Sequence, residues 1–129
     1  MITGDSRVRV YACAAPTDMR KKSYDTLAAL VSLELGRDPL GGDLFLFVGS
    51  RCRSAKVLFW DGTGLCVFSK RLERGRFAAP WRRSTDGVIT ISRSELQLFL
   101  EGSQLVFVGA LSPAEVEPKR VATKSLVVR

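Results

Sequence analysis

The residues best suited to chemistry in this chain are cations, and they are concentrated in its middle. Residues 49–83 contain nine cations and two acids, an excess equal to the whole net charge of +7. A local basic field favours polyanions, usually nucleic acids. A solvated surface that keeps the protein soluble is the alternative. The cations are Arg51, Arg53, Lys56, Lys70, Arg71, Arg74, Arg76, Arg82 and Arg83.

The first candidate binding segment directly follows an apolar strand pattern. It carries the cations Lys70, Arg71, Arg74 and Arg76, with one acid, Glu73, between them. Arginine can fork onto phosphate, and the nearby rings of Phe77 and Trp81 suit stacking on an unpaired base. The alternative is that both rings belong to the core and that Arg71 pairs with an acid.

Two further segments combine cations with features that attract anions. The loop over residues 49–54 carries Arg51 and Arg53, and its glycine and serines leave backbone N–H groups free for an anion. A solvated hairpin tip is the alternative. Residues 17–22 place three cations just before or within the first turn of a predicted helix, where a phosphate would be attracted. There the alternative is that Thr17 or Asp18 caps the helix and the cations are solvated.

Several classes of chemistry find no support in the sequence. The chain has no histidine, and Cys13, Cys52 and Cys66 form no CxxC pair. The aspartates occur in turn or cap contexts, such as Asp61 and Asp86 before glycine, which explains them without a metal. We therefore expect no enzyme, no catalytic residue, no metal and no cofactor. A metal-dependent nuclease is the weakest hypothesis.

The pattern of apolar residues predicts one α+β domain with a mainly antiparallel sheet, one longer helix and one short helix. The order is β-α-β-β-β-β-α. The predicted strands cover Arg7–Ala12, Leu44–Val48, Val57–Trp60, Leu65–Phe68 and residues 88–91, and the predicted helices cover Ser23–Leu35 and Arg93–Glu101.

Turn and cap signals separate these elements. Asp61-Gly62-Thr63-Gly64 predicts a tight antiparallel hairpin, and Ser92 with Glu95 predicts a capping box. Leu105–Val108 is a candidate edge strand. We assign residues 1–110 to the domain and residues 111–129 to a basic, mobile tail.

No apolar run approaches the roughly 20 residues that span a bilayer. The N-terminus lacks the apolar core of a signal peptide, so we expect a cytoplasmic protein without a membrane partner.

Four segments together resemble one bacterial family. They are TDMRK at Thr17–Lys21, RDPLGGDLFLF at Arg37–Phe47, KVLFWDGTGLCVFSKRLERGRF at Lys56–Phe77, and GVITIS at Gly87–Ser92. The chain is similar over Val8–Gly102 to the small accessory proteins, often labelled TnpB, encoded beside the transposase in insertion sequences of group sixty-six. The RNA-guided nuclease of the same label is unrelated.

The resemblance implies an accessory role in transposition, with catalysis supplied by a separate transposase. Combined with the charge, it suggests a non-catalytic factor that binds DNA with little base readout, through Arg51, Arg53, Lys70, Arg71, Arg74 and Arg76. The alternative is an adaptor that docks on the transposase without binding DNA. DNA is thus the expected partner, the transposase is a second candidate, and the oligomeric state stays open.

Overall fold

A computed structural model of the chain describes residues 7–20, 22–84 and 87–107. Within them, five strands and two α-helices follow the order predicted from the sequence, with one short 3-10 helix added. In chain order the elements are β1 (Val10–Cys13), α1 (Tyr24–Leu33), β2 (Leu44–Val48), β3 (Ser54–Trp60), β4 (Leu65–Arg71), the 3-10 turn Pro80–Arg82, β5 (Val88–Ile91) and α2 (Arg93–Leu100).

The strands form one sheet in the order β4-β3-β2-β1-β5. The pairs β3–β4, β2–β3 and β1–β5 are antiparallel, in agreement with the predicted mainly antiparallel sheet. The β1–β2 pair is parallel, with Tyr11 opposite Phe45. A parallel pair requires a long crossover, and α1 supplies it between these two strands. The α+β class with a mainly antiparallel sheet is therefore confirmed.

Both faces of the sheet are covered. Every residue of β2 is buried, so its side chains supply two separate apolar clusters. On one face, Leu27 and Val31 of α1 pack against Phe45, Phe47 and their neighbours. On the other face, Phe99 of α2 packs with the second cluster.

The predicted hairpin at Asp61–Gly64 is confirmed, with Trp60 opposite Leu65. The Asp61 carboxylate accepts backbone N–H bonds from Thr63 and Gly64, each at 2.9 Å. Both strands are longer than predicted, because pairing continues until Ser54 lies opposite Arg71. Lys70 and Arg71 therefore belong to β4, and the irregular segment begins only after them.

The start of α1 differs from the prediction. Ser23, not Thr17 or Asp18, is the capping residue, and its backbone N–H donates to Thr26 Oγ1 at 2.8 Å. Thr17 instead forms an isolated parallel bridge with Gly49. Arg20 and Lys22 consequently lie just before the helix, which is one of the two positions predicted for them.

The candidate edge strand near the C-terminus is not formed by the described residues, which add no sixth strand to the sheet. Leu105–Phe107 forms no strand, because Phe107 adopts φ 72° and packs against Phe99 with 5.7 Å between the ring centroids. Val108 lies outside the described residues. The predicted tail, residues 111–129, and the Asp86 turn signal fall outside them too. No helix among the described residues is long and apolar enough to cross a membrane.

The predicted capping box of α2 is confirmed and can be tested directly. Ser92 Oγ accepts from the Glu95 N–H at 3.0 Å, and Glu95 Oε1 accepts from the Ser92 N–H at 2.9 Å. Loss of a serine N-cap costs about 1 kcal/mol. We expect Ser92→Ala to lower the free energy of unfolding by about that amount in a urea titration.

Ser94→Ala is the matched control, since it makes the same substitution on an exposed position of the same helix. It should leave stability unchanged or raise it by about 0.5 kcal/mol, because alanine has the higher helix propensity. Equal destabilisation by both variants would contradict the capping role.

Candidate nucleic-acid interface

One end of the sheet gathers cations that are distant in the sequence. Strands β2 and β4 finish at this end and β3 begins there, because β3 is antiparallel to both. We call it the basic end and define it by Arg51, Arg53, Arg71, Arg74, Arg76 and Arg82. All six are exposed. The first five form no ion pair with another described residue.

The turn between β2 and β3 fixes two of these arginines. The Gly49 N–H donates to Ser54 O and the Cys52 N–H donates to Gly49 O, both at 2.9 Å. Cys52 has φ 58° and a buried side chain, so the turn is anchored in the core by this residue. Arg51 and Arg53 flank Cys52 and are left exposed on both sides of the anchor.

The loop before α1 packs against this turn and forms a groove with it. The Thr17 N–H donates to Val48 O at 2.9 Å. A Cβ atom on Gly49 would lie 3.2 Å from the Met19 Cγ, so this close approach needs glycine or a shift of Met19. Residues 16–20 and residues 49–51, 53 and 54 line the groove, whose volume is about 760 Å³.

The groove contains one anion, and it is already paired. Arg20 donates from Nε and Nη2 to the Asp18 carboxylate, both at 3.1 Å. These bonds, with the Arg20 backbone N–H, hold the pKa of Asp18 at about 2. The pair is highly exposed and contributes little to stability. Arg51 and Arg53 remain as the cations of the groove without an acidic partner among the described residues.

Two backbone bonds hold the segment after β4 beside the same turn. The Leu72 N–H donates to Arg53 O at 2.9 Å and the Phe77 N–H donates to Cys52 O at 2.7 Å. Residues 73–76 therefore form a short loop fixed at both ends, and Gly75 supplies the positive φ of 75° that it requires. This loop presents Arg74 and Arg76 next to Arg51 and Arg53.

Lys70 and Arg71 lie on opposite faces of β4. Arg71 is opposite Ser54, which lines the groove, and its side chain therefore projects towards the α1 face. Lys70 is opposite Ala55, and its Nζ donates to Leu100 O at 2.8 Å. That bond satisfies a free carbonyl at the end of α2 and places a cation near the negative end of the helix dipole. The structure thus brings five of the six predicted residues together and gives Lys70 a helix-capping contact elsewhere.

The aromatic residues of the basic segment are inside the protein. Phe77 is buried and stacks on Phe99, with 4.7 Å between the centroids. Trp81 is half-buried and packs on the same core cluster. The structure therefore supports the alternative interpretation, in which these rings are core anchors.

Arg82 joins the basic end, although no sequence motif distinguishes it from the neighbouring cations. Burial raises the pKa of the Cys52 thiol, and the charges of Arg82 and Arg76 oppose that rise. Both guanidinium groups therefore lie within electrostatic reach of the turn. The short 3-10 helix Pro80–Arg82 is what carries Arg82 there.

Three of the turn aspartates, Asp38, Asp43 and Asp61, have structural partners. Backbone hydrogen bonds from Thr63 and Gly64 lower the pKa of Asp61. Asp38 accepts from the Leu40 N–H at 2.9 Å, and Asp43 accepts from the Arg9 N–H at 3.0 Å. Among residues 7–20, 22–84 and 87–107, no three His, Cys, Asp or Glu side chains cluster as a metal site would require.

Comparison with known proteins assigns the chain to a family. Residues 8–108 match the family described as IS66 Orf2 like protein, TnpB_IS66. No solved structure is significantly similar to the chain.

Two relatives come from Sinorhizobium fredii (strain NBRC 101917 / NGR234). The uncharacterized protein y4hO is 40% identical over 102 residues, covering 79% of this chain and 86% of the relative. The uncharacterized protein y4jC is 36% identical over 100 residues, covering 77% and 83%. The family is not a known enzyme family. Membership of it implies an accessory role in transposition. The chain, with its groove and its basic end, belongs to the IS66 Orf2-like family of insertion-sequence accessory proteins.

Proposed function

We propose that this protein is a non-catalytic accessory factor in transposition that binds DNA through its basic end. The observation that carries the proposal is the convergence of five arginines from two segments: Arg51 and Arg53 from the β2–β3 turn, and Arg71, Arg74 and Arg76 from the end of β4 and the loop after it. Exposed guanidinium groups without acidic partners are available to fork onto phosphate oxygens. Because short hydrogen-bonded turns fix the backbone beneath them, binding costs little backbone conformational entropy.

The placement of the arginines favours contacts to phosphates over contacts to bases. Direct readout commonly inserts a helix or a two-stranded ribbon into the major groove. Helix α1 contains no cation, and α2 contains one, Arg93, in its first turn. The arginines of the basic end lie instead on turns and at a strand terminus. We therefore expect weak sequence preference and strong dependence on salt.

The alternative function is an adaptor that docks on the transposase through the same surface. The basic end would then meet acidic side chains of a protein, and DNA affinity would be absent or weak. Measurements of DNA binding by the purified protein separate the two functions, because an adaptor of this kind needs the transposase before it reaches DNA.

We expect the purified protein to bind duplex DNA of unrelated sequences with similar affinity. If the five arginines each contact one phosphate, the logarithm of the binding constant should fall against the logarithm of salt concentration with a slope of about −4.5. Fluorescence anisotropy of labelled duplexes across a salt series measures this slope. Absence of binding at low salt would overturn the proposal and favour the adaptor.

The double variant Arg51→Gln/Arg53→Gln tests the groove itself. It should weaken binding to every sequence and flatten the salt slope by about 1.8, since two phosphate contacts are lost. The matched control is Arg7→Gln/Arg9→Gln, which removes the same charge before β1, at the opposite end of the sheet. A control that flattens the slope equally would show a diffuse charge effect and exclude a specific basic end.

Lys70→Met should separate stability from DNA binding. The substitution keeps the apolar stem and removes the bond to Leu100 O, so the free energy of unfolding should fall by about 1 kcal/mol. The salt slope should stay at its original value, because the Lys70 ammonium group bonds to the carbonyl at the end of α2 and does not contact DNA. A flatter slope without loss of stability would instead show that Lys70 contacts DNA.

A further inference from the structure

The outer edge of β4 is a second surface with the character of an interaction site. β4 is the terminal strand of the sheet, and none of the described strands pairs with its outer side. It has seven residues and contains no glycine or proline. An edge of this length presents a row of unpaired backbone N–H and C=O groups, which template pairing with another strand.

The hydrogen-bond pattern of the hairpin shows which groups face outward. The Asp61 N–H donates to Gly64 O at one end, and the Leu72 N–H donates to Arg53 O at the other. Bonded and non-bonded pairs alternate between these ends, so Cys66, Phe68 and Lys70 bond to β3. The backbone groups of the remaining four residues point outward: Leu65, Val67, Ser69 and Arg71.

We propose that the occupant of this edge is a second copy of the chain, paired antiparallel through β4 about a two-fold axis at Phe68. This register sets Leu65 opposite Arg71 and Val67 opposite Ser69 of the other copy. All four outward-facing residues then bond, so the pairing uses the whole strand. An isologous contact of this kind closes as a dimer and leaves the β4 edge fully paired.

Charge complementarity supports antiparallel pairing in this register. The basic residues Lys70 and Arg71 occupy one end of β4, and the hairpin turn with the exposed carboxylate of Asp61 occupies the other. The two-fold axis places each basic end towards the Asp61 turn of the second copy. A parallel pairing would instead set like charges against each other, which is destabilising.

The exposed side chain at the middle of β4 also supports a two-fold axis at Phe68. Phe68, at the middle of β4, is 38% exposed. It borders a mostly apolar groove of about 260 Å³ that also includes Val57, Leu96 and Leu100. In the proposed register the two Phe68 rings form a non-hydrogen-bonded pair, where opposite side chains are closest. Each ring would then cover the groove of the other copy.

The backbone bonds of the dimer and the DNA contacts of the basic end use different groups. Pairing engages the backbone of Ser69 and Arg71, whereas their side chains project from the α1 face. The proposal therefore does not depend on DNA binding, and its failure would leave that proposed function intact.

Sedimentation velocity on the full chain tests the dimer. We expect a concentration-dependent dimer whose association weakens at least about tenfold in Ser69→Pro, because proline removes an outward N–H and is tolerated on an edge strand. Ser69→Thr is the matched control and should dimerise like the original chain, because it retains the backbone donor. Urea titration checks that all three proteins remain folded.

Disulfide trapping tests the register. Cysteines replacing Phe68 would face each other with Cα atoms about 4.5 Å apart, within disulfide range. In Ser69→Cys the equivalent atoms lie about 8 Å apart, beyond the roughly 7 Å limit. Both variants are made in a Cys13→Ser/Cys66→Ser background, because these two native thiols are only partly buried. With oxidised glutathione, only Phe68→Cys should then give a covalent dimer on a non-reducing gel.

Three outcomes would overturn the proposal. The first is a monomer at every concentration, which would also be seen if residues 108–129 covered the edge. The second is a dimer insensitive to Ser69→Pro, which would place the interface elsewhere. The third is trapping of Ser69→Cys as readily as Phe68→Cys, which would exclude the two-fold register.

Discussion

The complete burial of β2 is the constraint on which the rest of this structure depends. Phe45 and Phe47 point to one face of the sheet, and Leu44, Leu46 and Val48 point to the other. Both faces must be covered, and α1 and α2 cover them. Since a buried, unpaired charge is costly, most charged side chains of a covered sheet lie at its ends and edges. The core thus leaves the end of the sheet open to charge, and arginines occupy that end here.

Cys52 links that core to the charged surface. Its side chain is buried, while its backbone carbonyl accepts the Phe77 N–H. This anchor fixes the backbone of its two neighbours, Arg51 and Arg53. It also fixes the loop that carries Arg74 and Arg76, because that loop is bonded to the turn. A small apolar residue in the left-handed region is an unusual anchor, and the strain is borne where three segments meet. Rigid presentation of arginine therefore comes from backbone bonds and burial, without ion pairs to hold the side chains.

Local signals made much of this fold predictable. The Asp61 turn, the Ser92 cap and the apolar run of β2 each contain their physical cause within a few residues. The parallel pairing of β1 with β2 had no such signal, because its cause is a crossover of thirty residues. The length of the strands was also not predictable. β4 extends to Arg71 because β3 begins at Ser54 and pairs with it, and the sequence of one strand does not show where its partner begins.

The candidate site was predictable in composition but not in geometry. Counting charges identified all the arginines. It grouped Lys70 with Arg71, although adjacent side chains of a β-strand point to opposite faces of the sheet. The bond from Lys70 to Leu100 O spans thirty residues and the two bonds that fix residues 73–76 are made by backbone groups, which carry no sequence signature. For the same reason, the unpaired edge of β4 was not predictable from the sequence. Its binding capacity resides in N–H and C=O groups that every residue has, and only the sheet order shows which of them are left unpaired.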